Sequence, residues 1–277
     1  MTIKDIINYA YSKSSDFKDF EIEAVHFLIQ EYLGINRSQM IMMYNDLISP
    51  SKLDLILKAI DKYIDDCYPV QYILAYTYFY SMKLIVSEDV LIPRFDTEFV
   101  VEKAIEEVKS FFGNKAIRIC DIGTGSGAIA IALFKNLDNV SVDAIDISSK
   151  ALDIAKKNAS LNNANINFIE NDLLDNINFK YDLIISNPPY ISYDEEIMDL
   201  VGNNEPINAL FSDDNGLYHY KRILDQSLLS LKEKGLIVFE IPDNKSDKIY
   251  EYASKYYSDI KVYKDYNGQR RALIIRK

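Results

Sequence analysis

The sequence is short of the residues that disulfide, metal and redox chemistry require. It has two cysteines, Cys67 and Cys120, too few for a disulfide framework, and both stand in apolar company where a buried free thiol is the expected outcome. Its only imidazoles are His26 and His219, and no histidine–cysteine cluster suits zinc or iron, so no metal site is expected. No apolar run reaches the roughly 18 to 20 residues of a membrane span, so no membrane association is expected. The opening Met1-Thr-Ile-Lys-Asp is mixed in charge and lacks a signal-peptide pattern, which gives a cytoplasmic expectation. Basic stretches are missing as well. With 31 Lys and Arg against 42 Asp and Glu, the formal charge of −11 repels a nucleic-acid backbone, and no stable nucleic-acid binding is expected. Long-range attraction favours a basic protein or a cationic ligand instead. Internal repeats and low-complexity linkers are also absent.

What is present is the composition of a folded globular protein, 48% hydrophobic and 26% charged over 277 residues, enough for one or two domains. Residues 1–75 read as a small helical bundle: Ile3, Ile6, Ile7 and Ala10 keep helical spacing, as do Phe20, Ala24, Phe27 and Leu28, with Gly34 as a stop. Ser49-Pro50-Ser51 opens a further helix, in which Leu53, Ile56, Leu57, Ile60 and Ile64 share a face. Residues 76–96 suggest a hairpin and linker, followed by a helix with Thr97 as N-cap. Across 97–277 the period changes to alternating strands and helices: Ile117–Asp121, a helix from Ser126, Val140–Asp146, a helix from Ser148, Ile166–Glu170, the Asp182 strand, a helix near 217–231 and Leu236–Ile241. Two last strands, near 260–266 and 272–275, leave no room for a helix between them. The pattern predicts an α/β domain with a parallel, doubly wound sheet and an antiparallel final hairpin.

Two stretches carry chemistry. In Asp182-Leu-Ile-Ile-Ser-Asn187-Pro188-Pro189-Tyr190 a buried strand stops at two prolines, each of which fixes its own φ and holds its predecessor extended. The prolines offer no N–H. The tip therefore presents acceptors, the Asn187 side-chain oxygen and the Pro188 carbonyl, with the aromatic face of Tyr190, and a planar group bearing NH2 would suit it. The second stretch, Asp121-Ile-Gly123-Thr124-Gly125-Ser126-Gly127-Ala128, joins the first sheet strand to a helix, where such sheets bind nucleotide-like ligands. Asp146, with Ile147 behind it, ends the second strand and suits a ribose diol. The glycines also fit a dinucleotide fingerprint, but hydride transfer wants an acid or base on the substrate side, and His219 falls within a helix. The alternative ligand is S-adenosylmethionine, its ribose on Asp146, its amino-acid end on the glycine loop and its adenine beside Asp172 and Leu173.

Together, Asp-x-Gly-Thr-Gly-Ser-Gly and Asn-Pro-Pro-Tyr resemble the S-adenosylmethionine-dependent methyltransferases that act on exocyclic or amide nitrogens. A narrower resemblance, to the release factor glutamine methyltransferases, covers nearly the whole chain. It is carried by Pro69-Val-Gln71-Tyr72-Ile73-Leu74, Leu91-Ile-Pro93-Arg94 with Thr97-Glu98, Glu205-Pro206 with Ala209-Leu210, and Asp265 with Gly268 and Arg271. The resemblance implies a Rossmann-like seven-stranded sheet and a substrate-docking role for residues 1–75. It also implies methylation of the glutamine side-chain amide in the Gly-Gly-Gln motif of class 1 peptide chain release factors. Asn187, Pro188, Pro189 and Tyr190 would be catalytic; Asp121, Gly123, Thr124, Gly125, Ser126, Gly127, Asp146, Ile147, Asp172, Leu173 and Asn187 would bind the cofactor. Ala75 and Phe95 stand where the family usually has glycine and proline, and Pro242 and Lys245 where it often has glycine and glutamine. Glu205 and Arg271 are candidates for an ion pair. A nucleic-acid adenine N6-methyltransferase would present the same NH2 to the tip, but needs phosphate contacts and base flipping. A non-catalytic S-adenosylmethionine-binding adaptor is the third possibility.

Overall fold

Periodic apolar spacing gives way to helices and strands in the order α1 (Ile3–Lys13), α2 (Ile22–Leu33), α3 (Arg37–Met42), α4 (Pro50–Asp65), α5 (Val70–Leu74), β1 (Tyr76–Phe79), β2 (Met82–Ile85) and α6 (Phe95–Phe112) in a computed structural model that describes residues 1–277. There follow β3 (Ile117–Ile122), α7 (Ala128–Asn136), β4 (Val140–Asp146), α8 (Ser149–Leu161), β5 (Asn167–Glu170), β6 (Tyr181–Ser186), and the single turns α9 (Asp199–Gly202), α10 (Ile207–Leu210) and α11 (Asp213–Gly216). The chain closes with α12 (Tyr218–Ser230), β7 (Leu231–Glu240), α13 (Ser246–Ala253), β8 (Asp259–Lys264) and β9 (Arg270–Arg276). Residues 1–75 with 196–204 form one compact unit, and residues 76–195 with 205–277 another.

In the helical unit, α1 begins at a reciprocal cap, Thr2 accepting from the Asp5 N–H while Asp5 accepts from that of Thr2, which satisfies two end donors. Ile3, Ile6, Ile7 and Ala10 are buried against Val25, Leu28 and Ile29 of α2 and Ile56, Ile60 and Ile64 of α4. Gly34 ends α2 in the left-handed region, as its position predicts. Ala75 ends α5 in the same conformation, at φ 61°. This is the position where the family usually has glycine, and its Cβ costs about 1 kcal/mol there. Residues 196–204, expected within the sheet domain, return to this unit because Leu200 packs on the helical core and its N–H donates to Asp19 (3.1 Å).

The second unit holds a seven-stranded sheet in the order β5-β4-β3-β6-β7-β9-β8, with β9 antiparallel to both its neighbours and the other pairs parallel. Successive residues feed opposite faces: Ile119, Leu183, Val238 and Ile274 pack under α6 and α7, while Cys120, Ile184, Phe239 and Leu273 pack under α12 and α13. Burial on both faces explains why these strands read as continuous apolar runs. Cys120 is fully buried and Cys67 half-buried, both as free thiols. Helix α13 was not anticipated. Thr97, expected as an N-cap, is instead the third residue of α6, which starts after Arg94. Phe95 therefore takes the first helical position, where proline is favoured, and its ring is left exposed. No helix is long and apolar enough to cross a membrane.

Candidate active site

The sheet order reverses at β3, which lies between β4 and β6, and the crevice at the carboxyl ends of those strands is where such folds bind ligands. Two tips meet there. Ile122 and Ser186 are the last paired residues of β3 and β6, and the Ser186 hydroxyl donates to the Ile122 carbonyl (2.8 Å), so the glycine loop and Asn187 leave the sheet side by side.

Polar side chains behind the glycine loop set its shape. Asp121 Oδ2 accepts from the Thr124 hydroxyl (2.6 Å) and the Ala130 N–H (3.1 Å), and the Asp146 carboxylate accepts from the N–H groups of Gly125 (2.8 Å) and Ser148 (2.9 Å). Gly123 and Gly125 sit at φ 67° and 54° on the wall of a cavity, and a Cβ on either would meet no atom within 4 Å. Their missing side chains are therefore space that a ligand can fill. Gly127 has another task, since a Cβ there would press on Ala155 of α8 at 3.2 Å.

The cavity, of about 220 Å³, is lined by Gly123, Gly125, Asp146, Ile147, Asp172, Leu173, Asn187 and Pro189, with Val90, Leu91 and His219 among the other residues of its wall. Asp121, Thr124, Ser126 and Gly127, expected as cofactor residues, lie behind this wall. Asp121 is fully buried, and its Oδ2 braces the loop through Thr124 and Ala130. Both oxygens of Asp172 accept from Arg222 (3.0 and 2.9 Å), which orients the carboxylate and leaves lone pairs for one further donor. Leu173 holds φ 51°, unusual for a branched residue, which turns the chain where Leu173 joins the cavity wall. Pro188 is buried, and the Tyr190 ring packs on the apolar cluster under α12.

Asn187 Nδ2 donates to the Thr97 hydroxyl (3.3 Å), which in turn donates to Glu240 Oε2 (2.6 Å), leaving Asn187 Oδ1 as a free acceptor. The Tyr190 carbonyl accepts from Lys245 Nζ (2.5 Å), whose other partner is Glu195. Thr97 and Lys245 thus contact the Asn-Pro-Pro-Tyr tip, and Glu240 reaches it through Thr97, placements that the sequence reading does not assign to them. Nor does it assign one to Asn158, which bonds both the N–H and the carbonyl of Ile85 and the Ser126 carbonyl, tying the hairpin to the loop. Glu205 and Arg271 do not pair with each other. Glu205 binds the Ile92 N–H and Arg94, while Arg271 binds Asp96 (2.9 Å) and Asp265 (3.2 Å). His219 is hydrogen-bonded to Ser212 (2.8 Å), and burial lowers its pKa.

Burial pushes two carboxyls, Asp121 and Glu240, up to about 7 from ordinary values of 3.8 and 4.5. A carboxyl raised in this way stabilises the fold fully below its unfolded pKa, and that contribution is lost as pH rises through 7. The melting temperature is therefore expected to be higher at pH 6 than at pH 8, with about 1 kcal/mol from each group. His219 acts in the opposite sense below its unfolded value of 6.5 and weakens the gain at the acid end. Thermal denaturation at pH 6, 7 and 8 measures this; a melting temperature that falls on acidification over that range would show that the two carboxyls are ionised throughout.

Comparisons with known proteins agree with the fold and narrow the family. Residues 104–204 match the Methyltransferase small domain, and residues 13–74 the PrmC N-terminal domain. A release factor glutamine methyltransferase from Lactococcus lactis subsp. lactis is 37% identical over 268 residues, covering 95% of this chain and 96% of the relative. One of the same name from Bacillus subtilis is 35% identical, covering 91% and 90%. Among solved structures, a methyltransferase from Pyrococcus furiosus superposes with a TM-score of 0.54 at 18% identity, covering 83% of this chain and 99% of that one, which supports the fold alone.

Proposed function

This chain belongs to the release factor glutamine methyltransferase family, and from that premise we propose that it transfers a methyl group from S-adenosylmethionine to the glutamine side-chain amide nitrogen in the Gly-Gly-Gln motif of class 1 peptide chain release factors. The observation that carries the proposal is Asn187, on the wall of the same cavity that Gly123, Gly125 and Asp146 line, with its Nδ2 engaged by Thr97 and its Oδ1 left without a partner. The substrate is a protein, met in the cytoplasm by an acidic enzyme whose charge disfavours stable nucleic-acid binding.

The residues fit the cofactor on three counts: two glycines whose absent side chains leave a cradle, an oriented carboxylate at the end of β4, and apolar walls from Ile147 and Leu173. Asp146 would hold the ribose, the glycine loop the amino-acid end, and Asp172 the adenine NH2. When bound, S-adenosylmethionine supplies an electrophilic methyl group. The protein supplies position. An amide nitrogen is a poor nucleophile because its lone pair is delocalised into the carbonyl, so holding it in line contributes much of the rate. Asn187 Oδ1 and the Pro188 carbonyl each accept from the glutamine NH2, and Tyr190 packs against the amide plane. As positive charge grows on nitrogen the two acceptors stabilise it, each by about 2–4 kcal/mol. A strong base is unnecessary, because the alkylated amide is acidic enough to lose its proton to water. Residues 1–75 would dock the release factor.

Methyl transfer from tritiated S-adenosylmethionine, with release factor, its Gln→Ala variant at the motif, duplex DNA and RNA offered in parallel, tests the assignment. Label is expected only in the intact release factor; label in nucleic acid, or undiminished label in the Gln→Ala protein, rejects it. Asp146→Ala is expected to weaken cofactor binding by about 10- to 100-fold, since it removes a charge-assisted acceptor and frees the Gly125 N–H. Calorimetric affinity equal to the wild type's would mean that Asp146 does not hold the ribose.

A further inference from the structure

The two ends of an asparagine amide are nearly the same size, and only their hydrogen-bond partners decide which one faces a ligand. At Asn187 that choice matters: Oδ1 toward the cavity welcomes an incoming NH2, whereas Nδ2 would set donor against donor. Thr97 and Glu240, buried at 5% and 2% exposure and 143 residues apart in sequence, stand directly behind it. We propose that Thr97 and Glu240 form a positioning relay that sets the polarity of the Asn187 amide, and that a proton on Glu240 reverses it. The inference rests on the assignment of Asn187 as acceptor for the substrate amide.

The relay follows from donor counting. A threonine hydroxyl has one hydrogen, and a carboxylate can only accept. With Glu240 ionised, the Thr97 hydrogen lies on the 2.6 Å bond to Glu240 Oε2, and only lone pairs remain toward Asn187 at 3.3 Å. Asn187 must then turn Nδ2 inward and Oδ1 outward. With Glu240 protonated, the carboxyl donates to Thr97 Oγ1 and the threonine hydrogen is released toward Asn187. The amide then gains by turning Oδ1 inward, which presents NH2 to the substrate NH2. The groups around Glu240 balance near this change. Arg271 on β9 and Arg94 at the cap of α6 favour the carboxylate, Asp96 in the first turn of α6 and burial oppose it, and Tyr190 and Tyr220 complete the shell. The Tyr220 hydroxyl, by donating to the Glu240 backbone carbonyl (2.7 Å), steadies the strand end on which the carboxyl sits.

The test is the pH dependence of kcat and KM for release factor methylation by full-length wild type, Thr97→Val, Thr97→Ser and Glu240→Gln. Wild-type kcat is expected to fall on the acid side, with little change in KM for S-adenosylmethionine. Thr97→Val is expected to lower kcat by about tenfold or more at neutral pH, equivalent to ~1.4 kcal/mol of barrier, with KM for either substrate changed less than about threefold and the acid limb abolished. Thr97→Ser, which keeps the hydroxyl, restores turnover and the limb. Glu240→Gln cannot titrate and removes the limb whatever its absolute rate, which decides the matter if Thr97→Val does not fold. Wild-type kcat in Thr97→Val, or an acid limb surviving in Glu240→Gln, overturns the relay. Asn187→Ala in the same assay separates the two levels: where the Thr97 or Glu240 variants overturn the relay, an inactive Asn187→Ala shows that the acceptor assignment stands without it, and an active one shows that the assignment itself fails.

Discussion

Asn187→Ala is expected to leave the fold and cofactor affinity unchanged and to lower methyl transfer to release factor by about 10²- to 10³-fold, the scale at which single preorganised hydrogen-bond partners act. The side chain is well placed for so separable an effect. It projects from the end of β6, which is held through the paired residues Ile119–Ile122 and by the Ser186 hydroxyl, so truncation removes no sheet bond. The Thr97 hydroxyl keeps its bond to Glu240 when Asn187 Nδ2 is gone, so no buried donor is orphaned. In the proposed mechanism, what disappears is one acceptor for the positive charge that develops on the substrate nitrogen. The measurement is single-turnover methyl transfer with saturating cofactor beside calorimetric affinity and a melting curve. Turnover within a few-fold of wild type would remove Asn187 from the mechanism.

A second large effect is expected from Gly216→Ala, a methyl group away from wild type and outside both motifs. Gly216 holds φ 81°, and a Cβ there would lie 2.1 Å from the Tyr190 carbonyl oxygen, 2.9 Å from its carbonyl carbon and 2.4 Å from Lys245 Nζ. Lys245 can swing aside. The Tyr190 backbone cannot, because Ile191 is bonded to Leu210 (3.0 Å) and Ser212 (2.8 Å) on either side of the same crossing. Overpacking of this kind typically costs 1–3 kcal/mol, and an L residue in the left-handed region about 1 more. The expected outcome is a loss of about 2–4 kcal/mol in stability. Turnover should fall more than about tenfold in the protein that remains folded, because the Asn-Pro-Pro-Tyr tip is displaced from the cavity wall. Chemical denaturation and kcat on the folded fraction measure the two separately; an unchanged kcat would show that the tip is not held from the α11 side.

The departures from the family pattern acquire physical meaning only in place. Lys245 is the cation that holds the Tyr190 carbonyl, and Pro242 precedes the turn that delivers it. Ala75 takes a left-handed φ that glycine would adopt without strain, and Phe95 occupies a first helical position that proline suits.

By itself the sequence determined what is local: the helical face of Ile3, Ile6, Ile7 and Ala10, the alternation of strand and helix, the final antiparallel hairpin, the glycine turn after β3 and the double-proline tip after β6. Each depends on residues within a few positions of one another, where periodicity and backbone restriction act directly. Only the tertiary structure decided that Glu240 lies behind Thr97, that Gly216 abuts Tyr190, that Glu205 binds Arg94 rather than Arg271, and that residues 196–204 leave the sheet unit for the helical one. Those partners are tens to more than a hundred residues apart, and their pairing follows from strand order and helix packing, which no short window contains. The division matters chemically. Local sequence singles out Asn187 as the proposed acceptor, while the partners behind its amide, Thr97 and Glu240, come from distant parts of the chain.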